Sequence, residues 1–260
     1  DDVVLNHAIG YSKKFAIEPA FQAPILNEGG NFTKSCMRIW RTLEGSGSIT
    51  RSSSWIGENL YLDLLHMNWD EDNYGFPVIC LDGAKPIAIE RPLIPRKAFT
   101  ISVWVSLVEK DGIAWALTDD KTYETQSQLE IKKNGDLKVS HISGKSVECL
   151  HIKANDGEIH HIAVTYYDKV FKVYADGLIC GSKIISVDDL ETENSNLLLL
   201  SLGGTYPVST RERPIRNERG LEGCLRTISL FAFALNEKEI FHIKSEFYLG
   251  LTPAHAILHN

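Results

Sequence analysis

Residues 158–177 constrain this chain more than any other stretch, because two alternating segments there are joined by a two-residue connection. Ile162, Val164 and Tyr166 fall on one face of the first segment, and Phe171 and Val173 give the second a matching apolar face. Alternation with period two predicts a half-buried antiparallel hairpin, turning at Asp168-Lys169 and closed by a second turn at Asp176-Gly177.

The same period recurs along the chain. Phe99, Ile101, Val103, Val105 and Leu107 share one face of a predicted central strand, with Thr, Ser and Trp on the other. Strands at Leu129 to Lys132 and Asp136 to Ile142 flank Asn134-Gly135, which predicts a type I′ hairpin turn with φ > 0 at both central residues. Leu197 to Leu202 is a short apolar strand stopped by Gly203-Gly204, and Gly223 to Leu235 carries one further long strand or strand pair. One segment reads as helical: Asn236 can cap Glu237 to Lys244, with acidic residues in the first turn and a lysine late, as the helix dipole prefers. Short strands at this spacing indicate a sandwich rather than βαβ units.

Residues 1–60 have weak periodicity, with one plausible strand at Met37 to Arg41, and read as an irregular N-terminal extension packed on the body. The sandwich is assigned to 61–250 and a tail to 251–260. The chain of 260 residues can bury roughly 70–75% of its unfolded surface, enough for one large core. Its net charge of −7 supplies no global basic field, so nucleic acid is not an expected partner. The longest apolar runs, such as Leu197 to Leu200, fall far short of the ~18–20 residues of a membrane span, so no membrane insertion of this segment is expected. Asp1-Asp2 opens the chain without Met, which reads as numbering that starts within a processed or excised product.

Several chemistries find no motif. The sequence has no GxSxG, GxGxxG or P-loop pattern, and His255 and His259 lack the glutamate of HExxH. The five cysteines show no zinc-type clustering. Asp189, Glu191 and Glu193 would share one face of a strand, the arrangement paired carboxylates need for glycoside hydrolysis. They sit beside Asn194-Ser195-Asn196 without bulky alternating neighbours, and read as a polar connection.

From about Asp82 to Lys244 the chain resembles laminin-G-like, pentraxin-like and concanavalin-A-like jelly-roll domains. The resemblance rests on Phe99 to Val105, His160-His161-Ile162-Ala163-Val164-Thr165-Tyr166, Val173-Tyr174-Ala175-Asp176-Gly177, Leu200-Ser201-Leu202-Gly203-Gly204 and Leu221-Glu222-Gly223-Cys224-Leu225 leading to Ala234 to Ile240. It implies an all-β fold: an antiparallel two-sheet jelly-roll sandwich with one short C-terminal helix. It also implies an extracellular or cell-surface recognition module of a larger multidomain protein, non-catalytic, binding a glycan or an extracellular protein through rim loops. A glycoside-active enzyme of the same fold is the second reading, and a structural scaffolding module the third.

Further expectations follow from the resemblance. Calcium-holding members carry an aspartate after the strand that follows the central one, where Asp119 and Asp120 lie, so Ca²⁺ is assigned there. Arg211, Arg213, Arg216 and Arg219 crowd a loop expected at the sandwich edge, and arginine forks suit sulfate or carboxylate on an acidic partner. An oxidising compartment would make Asn31-Phe32-Thr33 a glycosylation acceptor and allow disulfides. Cys180 and Cys224 are expected on neighbouring strands, with Cys36 and Cys80 tying the extension to the body, although sequence alone leaves the connectivity open. His160 and His161 are expected to be structural.

Overall fold

The structure, a computed structural model, describes residues 38–40, 42, 44–51, 59–107, 110–185, 197–207 and 219–248. In chain order the strands are β1 (Arg38–Trp40), β2 (Ile49–Thr50), β3 (Leu60–Tyr61), β4 (Met67–Glu71), β5 (Pro77–Asp82), β6 (Ile87–Pro95), β7 (Ala98–Leu107), β8 (Gly112–Asp119), β9 (Thr125–Ile131), β10 (Leu137–His141), β11 (Ser146–Cys149), β12 (His160–Tyr167), β13 (Val170–Ala175), β14 (Leu178–Ile184), β15 (Leu197–Leu202) and β16 (Glu222–Phe231). Helix α1 (Glu237–Tyr248) follows.

Among the described residues, eight strands form one antiparallel sheet in the order β14-β13-β12-β7-β16-β5-β4, with β1 also paired to β16. Six form a second sheet in the order β11-β10-β9-β8-β15-β6, and β2 and β3 make a small ribbon. The two large sheets face each other as the expected jelly-roll sandwich. Phe99, Ile101, Val103, Val105 and Leu107 of β7 are all buried and share one core with Trp115, Leu117, Leu129 and Ile131 of the opposing sheet. Each such side chain contributes about 1.5–3 kcal/mol of transfer free energy, which is why alternation dictates which way every strand faces.

The other face of β7 is not open to water. Trp104 joins a second core with Ala163, Tyr174, Leu235, Ile240 and Ile243, so α1 roofs the outer side of the larger sheet. The polar residues between are satisfied internally. Thr100 donates to Phe233 O at 2.8 Å and accepts the Leu235 amide at 2.9 Å, and the Ser102 hydroxyl lies 2.8 Å from His161 Nε2. The helix begins as predicted. Asn236 Oδ1 accepts the amides of Lys238 and Glu239, while Glu239 accepts the Asn236 amide at 2.7 Å, a reciprocal capping box.

Turn chemistry agrees with expectation at Asp168-Lys169, where φ is 46° and 64° and Tyr167 pairs with Val170. Asn134-Gly135 differs. Only Gly135 has positive φ, and Lys132 and Asp136 close a three-residue loop through the Lys132 amide and the Asp136 carbonyl at 2.8 Å. A three-residue hairpin loop needs one left-handed residue at its end, which Gly135 supplies, and a Cβ there would lie 2.6 Å from Lys153 Cα.

The disulfide expectation is overturned. Cys80 bonds to Cys224, and Cys180 bonds to Cys149. Cys180 and Cys224 cannot meet, because β13, β12 and β7 stand between β14 and β16, a separation of about 19 Å at the usual strand spacing. Cys80 instead sits directly opposite Cys224 on adjacent strands. Cys36 and Asn31 lie outside the described residues. Within the segment assigned to an irregular extension, Arg38–Trp40 is a strand of the larger sheet, and Ile39 and Trp40 are fully buried.

Candidate functional site

The sandwich has two ends. At one, the Arg96-Lys97 link, the Asp119–Glu124 turn, the Ile142–Lys145 turn and the Asp168-Lys169 turn come together, since these join strands that all finish there. Arg219 lies at the other end, where its carbonyl accepts the Ile113 amide and its guanidinium reaches Glu130 at 3.3 Å. Arg211, Arg213 and Arg216 lie outside the described residues, as do Asp189, Glu191, Glu193, His255 and His259. Asp119 and Arg219 are thus at opposite ends of the fold and belong to no common site.

The Asp119 carboxylate holds its own turn together. Oδ1 accepts the amides of Lys121 at 2.8 Å and Thr122 at 2.7 Å, and Oδ2 pairs with Arg96. Burial works to raise its pKa, but the amides of Thr122 and Lys121 and the guanidinium of Arg96 together hold it below the ordinary carboxylate value. Next to it, Asp120 Oδ1 is buried with no hydrogen-bond partner among the described residues. Tyr123, at φ 57° and half exposed, sets its ring 6.1 Å from Tyr206 on the outer side of the turn.

This arrangement does not fit the calcium ion assigned to Asp119 and Asp120. Calcium takes six to eight oxygens, whereas Asp119 already spends both of its own on a cation and two amides, leaving one carboxylate. Among the described residues no three His, Cys, Asp or Glu side chains are grouped to hold a metal.

On the inner side of the turn a small opening lies between the sheets, with room for about one water molecule. Phe99, Tyr166, Phe171 and Leu198 form its floor, with the Tyr166 and Phe171 rings 4.6 Å apart. Arg96, Gln126, Ser127 and His141 form its rim. The inward rows of three neighbouring strands explain this polarity: Ile131 and Leu129 are followed by Ser127, Leu137 and Val139 by His141, and Ile162 and Val164 by Tyr166. Apolar rows turning polar at their last position were the signal in the sequence for this opening. Sequence reasoning placed Tyr166 inward but passed over Arg96, Gln126, Ser127 and His141.

His141 is neutral by geometry. The Ser143 amide donates to its Nδ1 at 3.2 Å, which puts the ring proton on Nε2, and burial lowers its pKa as well. Gln126 is engaged, its Oε1 with Arg96 and its Nε2 with the Glu124 carbonyl, both at 3.4 Å. A different histidine pair serves structure, as expected. His160 bridges Asp176 at 2.9 Å and Asp156 at 3.1 Å; the Asp176 hydrogen bond, outweighing burial, raises its pKa to about 9. His161 is fully buried beside Ser102, and burial lowers it to about 3, so this Ser-His pair has no substrate access.

A two-sheet antiparallel sandwich with an interior core and one roofing helix is the jelly-roll class of fold. The chain belongs to the concanavalin A-like lectin/glucanases superfamily, whose family model matches residues 81–241. No curated protein sequence matches significantly. Among solved structures, Trypanosoma rangeli sialidase in complex with sialic acid is similar with a TM-score of 0.59 at 12% identity, over 83% of this chain and 33% of that one. The binding domain of Paraclostridial Mosquitocidal Protein 1 is similar with a TM-score of 0.56 at 15% identity, over 82% and 52% respectively. The chain thus spans about a third of the first and about half of the second, and at these identities the likeness is one of fold.

Proposed function

We propose that this protein is a non-catalytic recognition module that binds a glycan over the small opening at the Asp119 end of the sandwich. The observation that carries this reading is the change from apolar to polar side chains at the last inward position of β9, β10 and β12, over an aromatic floor. Sugars present apolar C–H faces and hydroxyl edges together, and an apolar surface edged by polar groups, here including the Arg96 guanidinium, offers partners for both. The family and the sialidase fold agree with this choice of ligand. Two disulfides fit an oxidising compartment, and thus a secreted or surface setting within a larger protein.

A panel of oligosaccharides screened by calorimetry, with calcium and with chelator, tests the reading. Binding is expected, indifferent to chelator, lost in His141→Phe and without release of reducing ends. Ligands that bind the variant as tightly as the parent protein would remove the opening from the argument, and turnover would replace a binding module with an enzyme.

A further inference from the structure

Strand β14 ends the larger sheet, with β13 along one side and, among the described residues, no strand along the other. Alternate N–H and C=O groups of Leu178–Ile184 therefore point outward without a ladder partner. Edges of this kind are commonly blunted by charged side chains, and this one carries exposed apolar ones instead: Leu178 is 69% exposed, Ile179 43% and Ile184 69%. The one charged side chain of the strand, Lys183, is drawn inward to the Ser146 carbonyl of the other sheet at 2.9 Å.

Register decides which of these side chains share a face. Ile179 lies opposite Tyr174 and Ile184 opposite Val170, and those two positions of β13 are four apart. Both isoleucines therefore stand on the outer face, the one that α1 roofs over Tyr174. Tyr167, exposed and opposite Val170, extends the apolar row that ends at Ile184. Between Ile179 and Gly181 the strand carries one extra residue, Cys180, as a bulge.

We infer that β14 pairs antiparallel with β14 of a second copy of this chain, about a two-fold axis through Ser182. Residues directly opposite on paired strands face the same side of the sheet, so such an axis passes through a residue and not between two. With Ser182 opposite itself, Gly181 meets Lys183 of the other copy, and the Cys180 bulge in each strand brings Ile179 opposite Ile184 of the other. The pattern is self-complementary: two crosswise pairs of exposed isoleucines meet, and Gly181 and Ser182 leave room where the backbones approach. Charge does not oppose it. Lys172, which lies beside Ser182, would stand three strand spacings from its copy, about 14 Å and beyond the ~8 Å screening length at physiological salt. The two larger sheets would then run on as one, with the Asp119 end of each copy free.

Sedimentation equilibrium on the full chain, from low micromolar to submillimolar concentration, is expected to show the mass rising from 29.1 kDa toward twice that value. Ile184→Lys, a change at an exposed site, should melt with the parent protein and lose the association. Ser182→Cys in a Cys36→Ser background should give a disulfide-linked dimer on exposure to air, because the axis sets position 182 against itself. Tyr61→Cys in the same background, an exposed site on the β2–β3 ribbon, should not. A parent protein that stays at the monomer mass throughout overturns the inference and leaves this edge to a strand of some other protein. Association that survives Ile184→Lys, or cross-linking no faster at position 182 than at 61, overturns it equally.

Discussion

Cys149 of β11 and Cys180 of β14 are covalently joined, so the outermost strand of one sheet is tied to the outermost strand of the other along the same side of the sandwich. Lys183 reinforces the join by donating to the Ser146 carbonyl at 2.9 Å. Gly181 permits it: a Cβ there would lie 2.8 Å from Val147 Cγ1 and 2.9 Å from Cys149 Sγ.

Opening this bond should loosen that side without dissolving the core. The closed loop spans 31 residues, for which chain entropy predicts about 3–4 kcal/mol, so the double variant Cys149→Ser with Cys180→Ser should unfold at lower urea. Removing Cys80 and Cys224, 144 residues apart, should cost about as much or more. Matched urea titrations read both, and a midpoint unmoved by the first pair would show that the sheets hold together there without it.

Stability should peak near pH 6.5. The His160 pKa is raised to about 9, so its contribution is complete below 6.5 and is lost as pH rises through 9. The His161 pKa is lowered to about 3, so the unfolded chain binds the extra proton between 6.5 and 3 and stability falls as pH falls through that range. Asp176, whose burial is outweighed by its bonds to His160 and the His161 amide, adds to the acid limb. Melting temperature against pH is expected to form a dome, with His160→Gln flattening the alkaline side and weakening the part of the acid limb that Asp176 supplies.

Arg226 and Asp72 form a buried ion pair, 3% and 4% exposed, with the guanidinium 4.7 Å from the Trp104 ring centre and 5.1 Å from that of Phe76. Arg226→Ala leaves Asp72 charged in a dry place and is expected to cost about 3–5 kcal/mol. The double replacement Arg226→Met with Asp72→Leu should recover much of this. Chemical denaturation of the three variants decides it, and a double variant as unstable as the single one would contradict the argument.

Gly135→Ala should destabilise by about 1–3 kcal/mol, since the new Cβ meets backbone at 2.6 Å where φ is 82°. Gly144 also has positive φ but open space around it, so Gly144→Ala serves as the milder control. Equal losses for the two would show that φ alone accounts for the effect.

Calcium at millimolar concentration should leave the melting temperature unchanged, because Arg96 occupies the oxygen of Asp119 that a metal would need. A rise that chelator reverses would place a metal at the turn after all.

Much of the architecture could be read from residue order because alternation is local. Phe99 to Leu107 announced a central strand, and Asn236 with Glu239 announced the helix start. The two-faced burial of β7 was hidden, because Thr100, Ser102 and Trp104 look solvent-facing until α1, more than 130 residues later, closes over them. The disulfide pairing was equally out of reach, since it depends on strand order: β7 and β16 are neighbours although 114 residues of sequence lie between their facing ends. At Asp119 the turn after β8 was legible, and the partner of its carboxylate was not. Nothing in the residue order tells that Arg96, on another loop, already holds the carboxylate.

Helix α1 starts beside Thr100, close to the Asp119 end, and by Phe241 and Lys244 it has reached Gly177 near the opposite end. A support coupled through the far turn of this helix would therefore leave the Arg96 and His141 mouth directed outward. For a sensor chip or a bead, that orientation is built into the chain.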